Sequence, residues 1–184
     1  MPTKERADLA EVYGVSGDET AILYNYERQE PTGIYENGQT YLPVSWINDH
    51  INERFYWDST ENLLVYALPD QIVYADAETK GSNGAPLLVV KDDEVYLTLG
   101  LIANYTDVQI QTFDSGDGKR VLINDWGTRN TARVKKAGSL RVKGGVKSKV
   151  LTDLAKDDTV TVLDTMEKWS RVASSDGNIG YVEN

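Results

Sequence analysis

Between Tyr41 and Asp58 the chain reads YLPVSWINDHINERFYWD, a stretch that holds its only histidine, His50, with Asp49 beside it and Glu53 one helical turn on. An imidazole with carboxylates at that spacing could carry out general acid–base chemistry. A second group lies toward the C terminus: Trp169 and Tyr181 offer flat apolar faces, and Arg141 and Lys143 offer cations. Together these four could hold a carboxylate-bearing peptide. DSGDGK, from Asp114, resembles a calcium loop, but Gly116 and Gly118 occupy positions where an EF-hand needs oxygen ligands, so a hairpin turn explains it better. Asn104-Tyr105-Thr106 fits a glycosylation pattern, yet Tyr105 lies in a core-like segment and the pattern carries no weight. KDDE, Lys91 to Glu94, reads as a solvated turn.

Charge narrows the partners. Residues 130–184 carry ten Lys/Arg against seven Asp/Glu, a balance of +3, leaving nine against twenty-two, or −13, in residues 1–129, of the total −10. An acidic front repels phosphate backbones, and the basic residues behind it alternate with acids, which argues against nucleic acid. No apolar run approaches the roughly 18 residues that cross a bilayer, so no membrane insertion is expected. There is no cysteine, which removes disulfides, thiolate metal sites and a cysteine nucleophile and leaves the compartment open.

These residues must be positioned by elements that the hydrophobic periodicity outlines. Residues 1–18 read as a lead-in or packed arm, with ERADLAEV a possible helical turn and SGD a break. Ala21 to Glu30 alternates with period two, placing Ile22, Tyr24 and Tyr26 on one strand face. Asn37-Gly38 between apolar-alternating arms predicts a hairpin. Val44, Ile47, Ile51 and Phe55 then recur as one face of a helix that should stop near Phe55. Two strands, Phe55 to Trp57 and Leu63 to Leu68, follow around DSTEN.

This β-β-α-β-β pattern recurs. Tyr41-Leu42 aligns with Tyr96-Leu97, Val44 with Leu99, Trp46-Ile47 with Leu101-Ile102, Trp57-Asp58 with Phe113-Asp114 after a one-residue slip, and Val65 with Val121. The apolar positions are kept and the polar ones are not. Trp46 and Trp57 therefore read as packing residues and His50 as a surface or hydrogen-bonded histidine, with catalysis by His50 and Asp49 or Glu53 the rival reading.

YLPVSWI followed by FYWD, with YLTLGLI and QTFD as a diverged second copy, resembles the copper amine oxidase N-terminal-like domain, a module found as tandem copies in Gram-positive surface proteins and cell-wall hydrolases. That resemblance implies no copper site and no quinone cofactor, and a single histidine is too few imidazoles for copper. No metal or cofactor is expected.

From Ala132 the texture changes to short β-rich runs, SLRVK, KVLTDL, TVTVLDT, WSRVAS and IGYVE, separated by KGGVKS, AKDD, TMEK and SSDGN. Five short strands in so few residues suggest a small barrel. The pattern Leu140, Val142, Gly144, Ser148, Val150, Leu154, Val160, Val162, Trp169, Val172, Gly177, Gly180, Tyr181 and Val182 resembles a bacterial SH3 domain, with Arg141, Lys143, Val146 and Asp158 departing from its usual residues. Such domains commonly bind peptidoglycan peptides or act as rigid spacers. Two readings of Trp169 and Tyr181 stand at this point: walls of a ligand groove beside Arg141 and Lys143, or closure of the barrel core.

The expected architecture is thus α+β. An arm over 1–18 precedes a two-copy domain over 19–129, with copies at about 19–69 and 70–125, and an all-β SH3-like barrel over 130–184. The module order resembles the non-catalytic front of Gram-positive, Clostridia-type surface proteins that end in a family 18 glycoside hydrolase, whose DxxDxDxE motif is absent here. The expectation is a non-enzymatic fragment of a longer secreted or membrane-anchored cell-surface protein, either bound to cell-wall glycan or peptide or serving as a stalk.

Overall fold

A computed structural model describes residues 1–184. The arm is ordered by its own caps. Asp8 accepts the Ala10 amide at 3.0 Å and starts helix α1 (Leu9–Tyr13), and Gly14, at φ 66°, closes it. Strand β1 (Glu19–Tyr24) follows and turns back at Asn25 and Tyr26, both at positive φ, into the short β2 (Glu27–Arg28). The strand predicted over 21–30 is therefore a tight hairpin, and Tyr26 sits in its turn instead of on the face shared by Ile22 and Tyr24. Arg28 explains the reversal, since its Nε donates to the Tyr13 carbonyl at 2.8 Å and ties the returning strand to the end of α1.

Strands β3 (Gly33–Glu36) and β4 (Gln39–Pro43) meet at Asn37-Gly38, both left-handed as a two-residue hairpin requires. Helix α2 (Val44–His50) ends five residues before Phe55, the predicted terminus. Asn48 Nδ2 donates to the Phe55 carbonyl at 2.7 Å, and Asn52 Oδ1 accepts the Arg54 amide at 3.0 Å. These side-chain bonds compete with further helical turns, so Phe55 enters the core from strand β5 (Phe55–Asp58). Strands β6 (Leu63–Ala67) and β7 (Ile72–Ala75) complete a separate three-stranded sheet with β5.

A second run follows: β8 (Leu88–Lys91), β9 (Glu94–Thr98), helix α3 (Leu99–Tyr105), β10 (Val108–Phe113) and β11 (Arg120–Asp125). Asp92 and Asp93 form its hairpin turn at positive φ, and Thr98 caps α3 by accepting the Leu101 amide. The main sheet runs β10-β11-β1-β3-β4-β9-β8, with β2 beside β1 and with β1 parallel to β11. Toward its β8 edge, β4 and β9 pair antiparallel, Leu42 opposite Leu97. Trp46 and Ile47 of α2, Leu101 and Ile102 of α3 and Phe55 and Leu64 of the small sheet are buried together in one core.

The remaining strands, β12 (Thr131–Arg133), β13 (Gly138–Arg141), β14 (Val150–Leu154), β15 (Thr159–Thr165), β16 (Trp169–Ala173) and β17 (Ile179–Glu183), form a six-stranded sheet in the order β12-β15-β16-β17-β13-β14. All five runs predicted in the tail are strands, and β12 is an addition. Leu140, Leu151, Leu154, Val160 and Val172 form the core of this barrel.

The two halves are bolted together. Residues 3–7 lie along β14, with the Thr3 amide donating to Val146, the Val150 amide to Glu5 and the Ala7 amide to Val150. Leu9 and Val12 pack against the barrel core, while Tyr13 and Val15 are buried with Ala21, Leu23 and Leu122 of the main sheet. Tyr13 donates its hydroxyl to Asn178 Oδ1 at 2.9 Å and accepts the Ile179 amide at 3.2 Å. Burial pushes the Tyr13 phenol above its ordinary value of 10.0, the Ile179 bond and Arg120 pulling less strongly the other way.

The folded chain thus holds this proton more tightly than the unfolded chain. The corresponding stability is complete below the ordinary value of 10.0 and is lost as pH rises through the raised value. Tyr13→Phe should shrink the alkaline loss of stability, leaving the parts due to Tyr66, which burial and its Tyr105 neighbour push up to about 12, and to Tyr96, which burial and nearby carboxylates also raise. It should also cost about 1–3 kcal/mol at neutral pH by stranding the Asn178 and Ile179 partners. Urea denaturation at neutral pH and above pH 10 checks both; equal alkaline losses in the two proteins would contradict the assignment.

Candidate ligand groove

The β13–β14 loop and the β15–β16 turn face each other across the start of β16. In the loop, the Lys143 amide donates to Ser148 Oγ at 2.8 Å, which folds residues 143–148 back on themselves. Gly144 then lies against Trp169, where a Cβ would stand 3.2 Å from the indole Cγ. In the turn, Asn184 Nδ2 donates to the carbonyls of Met166 and Glu167, and Asn184 Oδ1 accepts the Ser170 hydroxyl. The last residue of the chain therefore holds the turn in place.

Between them lies an open groove of about 460 Å³, lined by Lys143, Gly144, Met166, Glu167, Lys168, Trp169 and Tyr181, so that two lysines and one carboxylate share it. Trp169 and Tyr181 are on neighbouring antiparallel strands, Trp169 opposite Glu183 and Tyr181 opposite Arg171. Alternation along β17 thus puts both rings on one face. Both rings are half-buried, so each keeps a solvent-facing surface as well as packing.

Three of the four residues predicted for this site come together: Lys143, Trp169 and Tyr181. Arg141 does not join them. It is 7% exposed, and its guanidinium donates to the carbonyls of Thr3 at 2.9 Å and Ser148 at 2.8 Å, so it fastens the arm and the loop instead of facing a ligand. A buried guanidinium needs acceptors, and backbone carbonyls supply them.

The groove also draws in Met166, Glu167, Lys168 and Gly144, which the sequence presented only as turn residues or as part of a family pattern. The available signal was adjacency: TMEK leads directly into Trp169, and a tight hairpin folds such residues over the aromatic that begins the next strand.

The family model of the bacterial SH3 domain matches residues 136–184. The groove therefore belongs to this SH3 domain. No curated protein and no solved structure matches the chain. These findings lend no support to the copper amine oxidase-like resemblance of residues 19–129 or to the link with family 18 glycoside hydrolases.

His50 is on the surface of α2, its ring stacked on Trp46 at 4.9 Å and 14° and edge-on to Tyr24. Its Nδ1 lies 3.0 Å from the Trp46 carbonyl, a contact that a protonated Nδ1 makes as donor. Asp49 and Glu53 are exposed. A second cleft, of about 300 Å³, lies at the joint of the two halves, where Arg171 bonds the Tyr26 carbonyl and pairs with Glu27 at 3.3 Å. Arg171 thus joins the two halves, while Arg129 is engaged within the first half by Asn25 and Asp125. No helix is long and apolar enough to cross a membrane.

Proposed function

We propose that this chain is a non-catalytic, wall-associated accessory region whose SH3 groove takes a carboxylate-bearing peptide of peptidoglycan. The observation that carries the reading is the meeting of two half-buried aromatic faces, Trp169 and Tyr181, with two flanking ammonium groups, Lys143 and Lys168. The rings offer apolar area to a short aliphatic peptide, and the lysines neutralise its carboxylates. Binding to the cell wall is common among bacterial SH3 domains and supports the choice of polymer. His50 supports a non-enzymatic role, since its ring is stacked and its Nδ1 lies against the Trp46 carbonyl.

The two-copy reading of the acidic domain belongs to the same proposal. β3, β4 and α2 begin at residues 33, 39 and 44, and β8, β9 and α3 begin 55 residues later at 88, 94 and 99. At that offset Leu42 corresponds to Leu97, and these two residues pair with each other across β4 and β9, as two copies related by a local two-fold axis would. Beyond the helices the runs diverge, β5–β6 joining β7 while β10–β11 joins β1. An attached hydrolase, of the family 18 type that the module order resembles, would be the enzyme this region positions.

A spacer is the second reading, favoured by the packed joint, which makes a stiff unit of the two halves. Retention on purified peptidoglycan sacculi separates them. Trp169→Ala should weaken retention about tenfold or more, as loss of a central aromatic anchor does. Lys143→Glu with Lys168→Glu, exposed changes that leave the core intact, should do likewise. Undiminished retention of both variants, or no retention of the wild type at micromolar protein, would leave the spacer.

A further inference from the structure

The three-stranded sheet β5-β6-β7 buries one face and leaves the other bare. Phe55, Leu64, Tyr66 and Ala75 point into the core. Alternation sends Tyr56, Val65 and Tyr74 outward, and the register places them in one row across the strands, Tyr56 opposite Val65 and Val65 opposite Tyr74. Tyr56 is 64% exposed and Tyr74 58%, and Ile72, in the adjoining row opposite Ala67, is 57% exposed. Exposed aromatics on an ordered sheet lose hydrophobic stabilisation unless something covers them.

We infer that this face is a binding platform for the glycan strand of a β-1,4-linked amino-sugar polymer, with Tyr56 and Tyr74 as its two stacking rings. Three features select that occupant. The rings are two strand spacings apart, about 9–10 Å, close to one disaccharide repeat of an extended β-1,4 glycan, in which alternate sugars present the same face. Pyranose rings stack their C–H faces on aromatic rings, and the phenol hydroxyls remain free to bond sugar hydroxyls at both ends.

The face is also small, about 200 Å² for three strands of four residues, against roughly 800 Å² per partner in a stable protein interface. Finally, Asp58 is the only charged residue in the three strands, and its Oδ1 is occupied in accepting the Thr60 and Glu61 amides. A second copy would bring two −13 domains together, whereas an uncharged stretch of glycan meets no such repulsion.

The choice of polymer rests on the wall reading above; the platform does not. Titration of the full chain followed by NMR, with neutral β-1,4-linked N-acetylglucosamine oligomers in one arm and isolated stem peptide in the other, tests the two separately. Tyr56→Ala and Tyr74→Ala should each weaken glycan binding about tenfold, and the corresponding Phe variants should stay within about twofold. Trp169→Ala should leave glycan binding unchanged, and Tyr56→Ala should leave peptide binding unchanged. Loss of glycan binding from the wild type at millimolar oligomer, or equal binding by the Ala variants, overturns the platform. So does a tyrosine dependence that appears only as self-association in sedimentation. Loss of the peptide arm alone overturns the groove and leaves the platform standing.

Discussion

Arg120→Ala is expected to lower the free energy of unfolding by about 3–4 kcal/mol and the melting temperature by roughly 10 °C. Arg120 is 4% exposed and stands at the joint between the two halves. Its Nε donates to the Gly177 carbonyl at 2.6 Å, one terminal nitrogen to Asp176 at 2.9 Å, and the other to Gly118 at 2.9 Å. The guanidinium lies 4.7 Å from the Tyr13 ring centre and 5.3 Å from that of Phe113. Truncation strands three carbonyls and removes a cation from between two rings, and because these losses share one site they do not simply add.

Arg120→Lys separates charge from geometry. It keeps the cation, yet a single ammonium cannot reach acceptors on both halves at once, so about half the loss should persist. Thermal denaturation followed by far-UV and near-UV circular dichroism is the measurement. A cost below about 1 kcal/mol for the alanine variant would mean that the joint is held by something else.

A rigid joint matters because the two proposed binding faces lie on different halves. The groove between Trp169 and Tyr181 belongs to the SH3 domain, and the Tyr56–Tyr74 row belongs to the acidic domain. Two weak contacts on one stiff body and one polymer reinforce each other only when their separation is fixed, since a mobile linker lowers the effective concentration of the second site. Arg120 and the ion pair of Arg171 with Glu27 provide that fixity from opposite halves.

What the sequence disclosed followed the range of the interactions. Hairpins at Asn37-Gly38 and in the tail were legible because their turn residues and alternating arms lie within a few positions of one another. The parallel pairing of β1 with β11, Ile22 opposite Val121, was not legible, because alternation says that a strand has a buried face and says nothing about a partner a hundred positions away. Trp169, Tyr181 and Lys143 were singled out alongside the SH3 resemblance, and it is the β16–β17 register that puts the two rings on one face.

Arg141 was misplaced because a cation next to a predicted site looks like a ligand contact from sequence. One of its two acceptors, the Thr3 carbonyl, lies in a segment whose contacts no local pattern reports. Tyr56 and Tyr74 were equally hidden, since only the β5-β6-β7 register shows that they share a row.

The arm is where sequence and structure differ most in weight, and removing residues 1–15 should be the more damaging change. The deletion takes Tyr13 and Val15 from one core and Ala7, Leu9 and Val12 from the flank of another. It also removes the backbone bonds along β14, the Arg6–Asp153 pair and the Thr3 acceptor of Arg141. Each fully buried apolar side chain is worth about 1.5–3 kcal/mol, and the entropy regained by freeing the arm offsets part of the sum. A net loss of about 4–6 kcal/mol follows, much of the 5–15 kcal/mol by which domains are ordinarily stable.

The shortened chain should melt in two steps where the full chain melts in one, because the joint it leaves is held by Arg120 and the Arg171 pair without the apolar layer between them. Retention on sacculi should fall as well, although no groove residue is touched, because the loop carrying Lys143 is braced through Arg141 and Val146 by the arm. A synthetic peptide of residues 1–15 added in excess should recover both, raising the melting temperature in proportion to the logarithm of its concentration. Identical melting curves for the shortened and full chains would show instead that the arm adds nothing to either core.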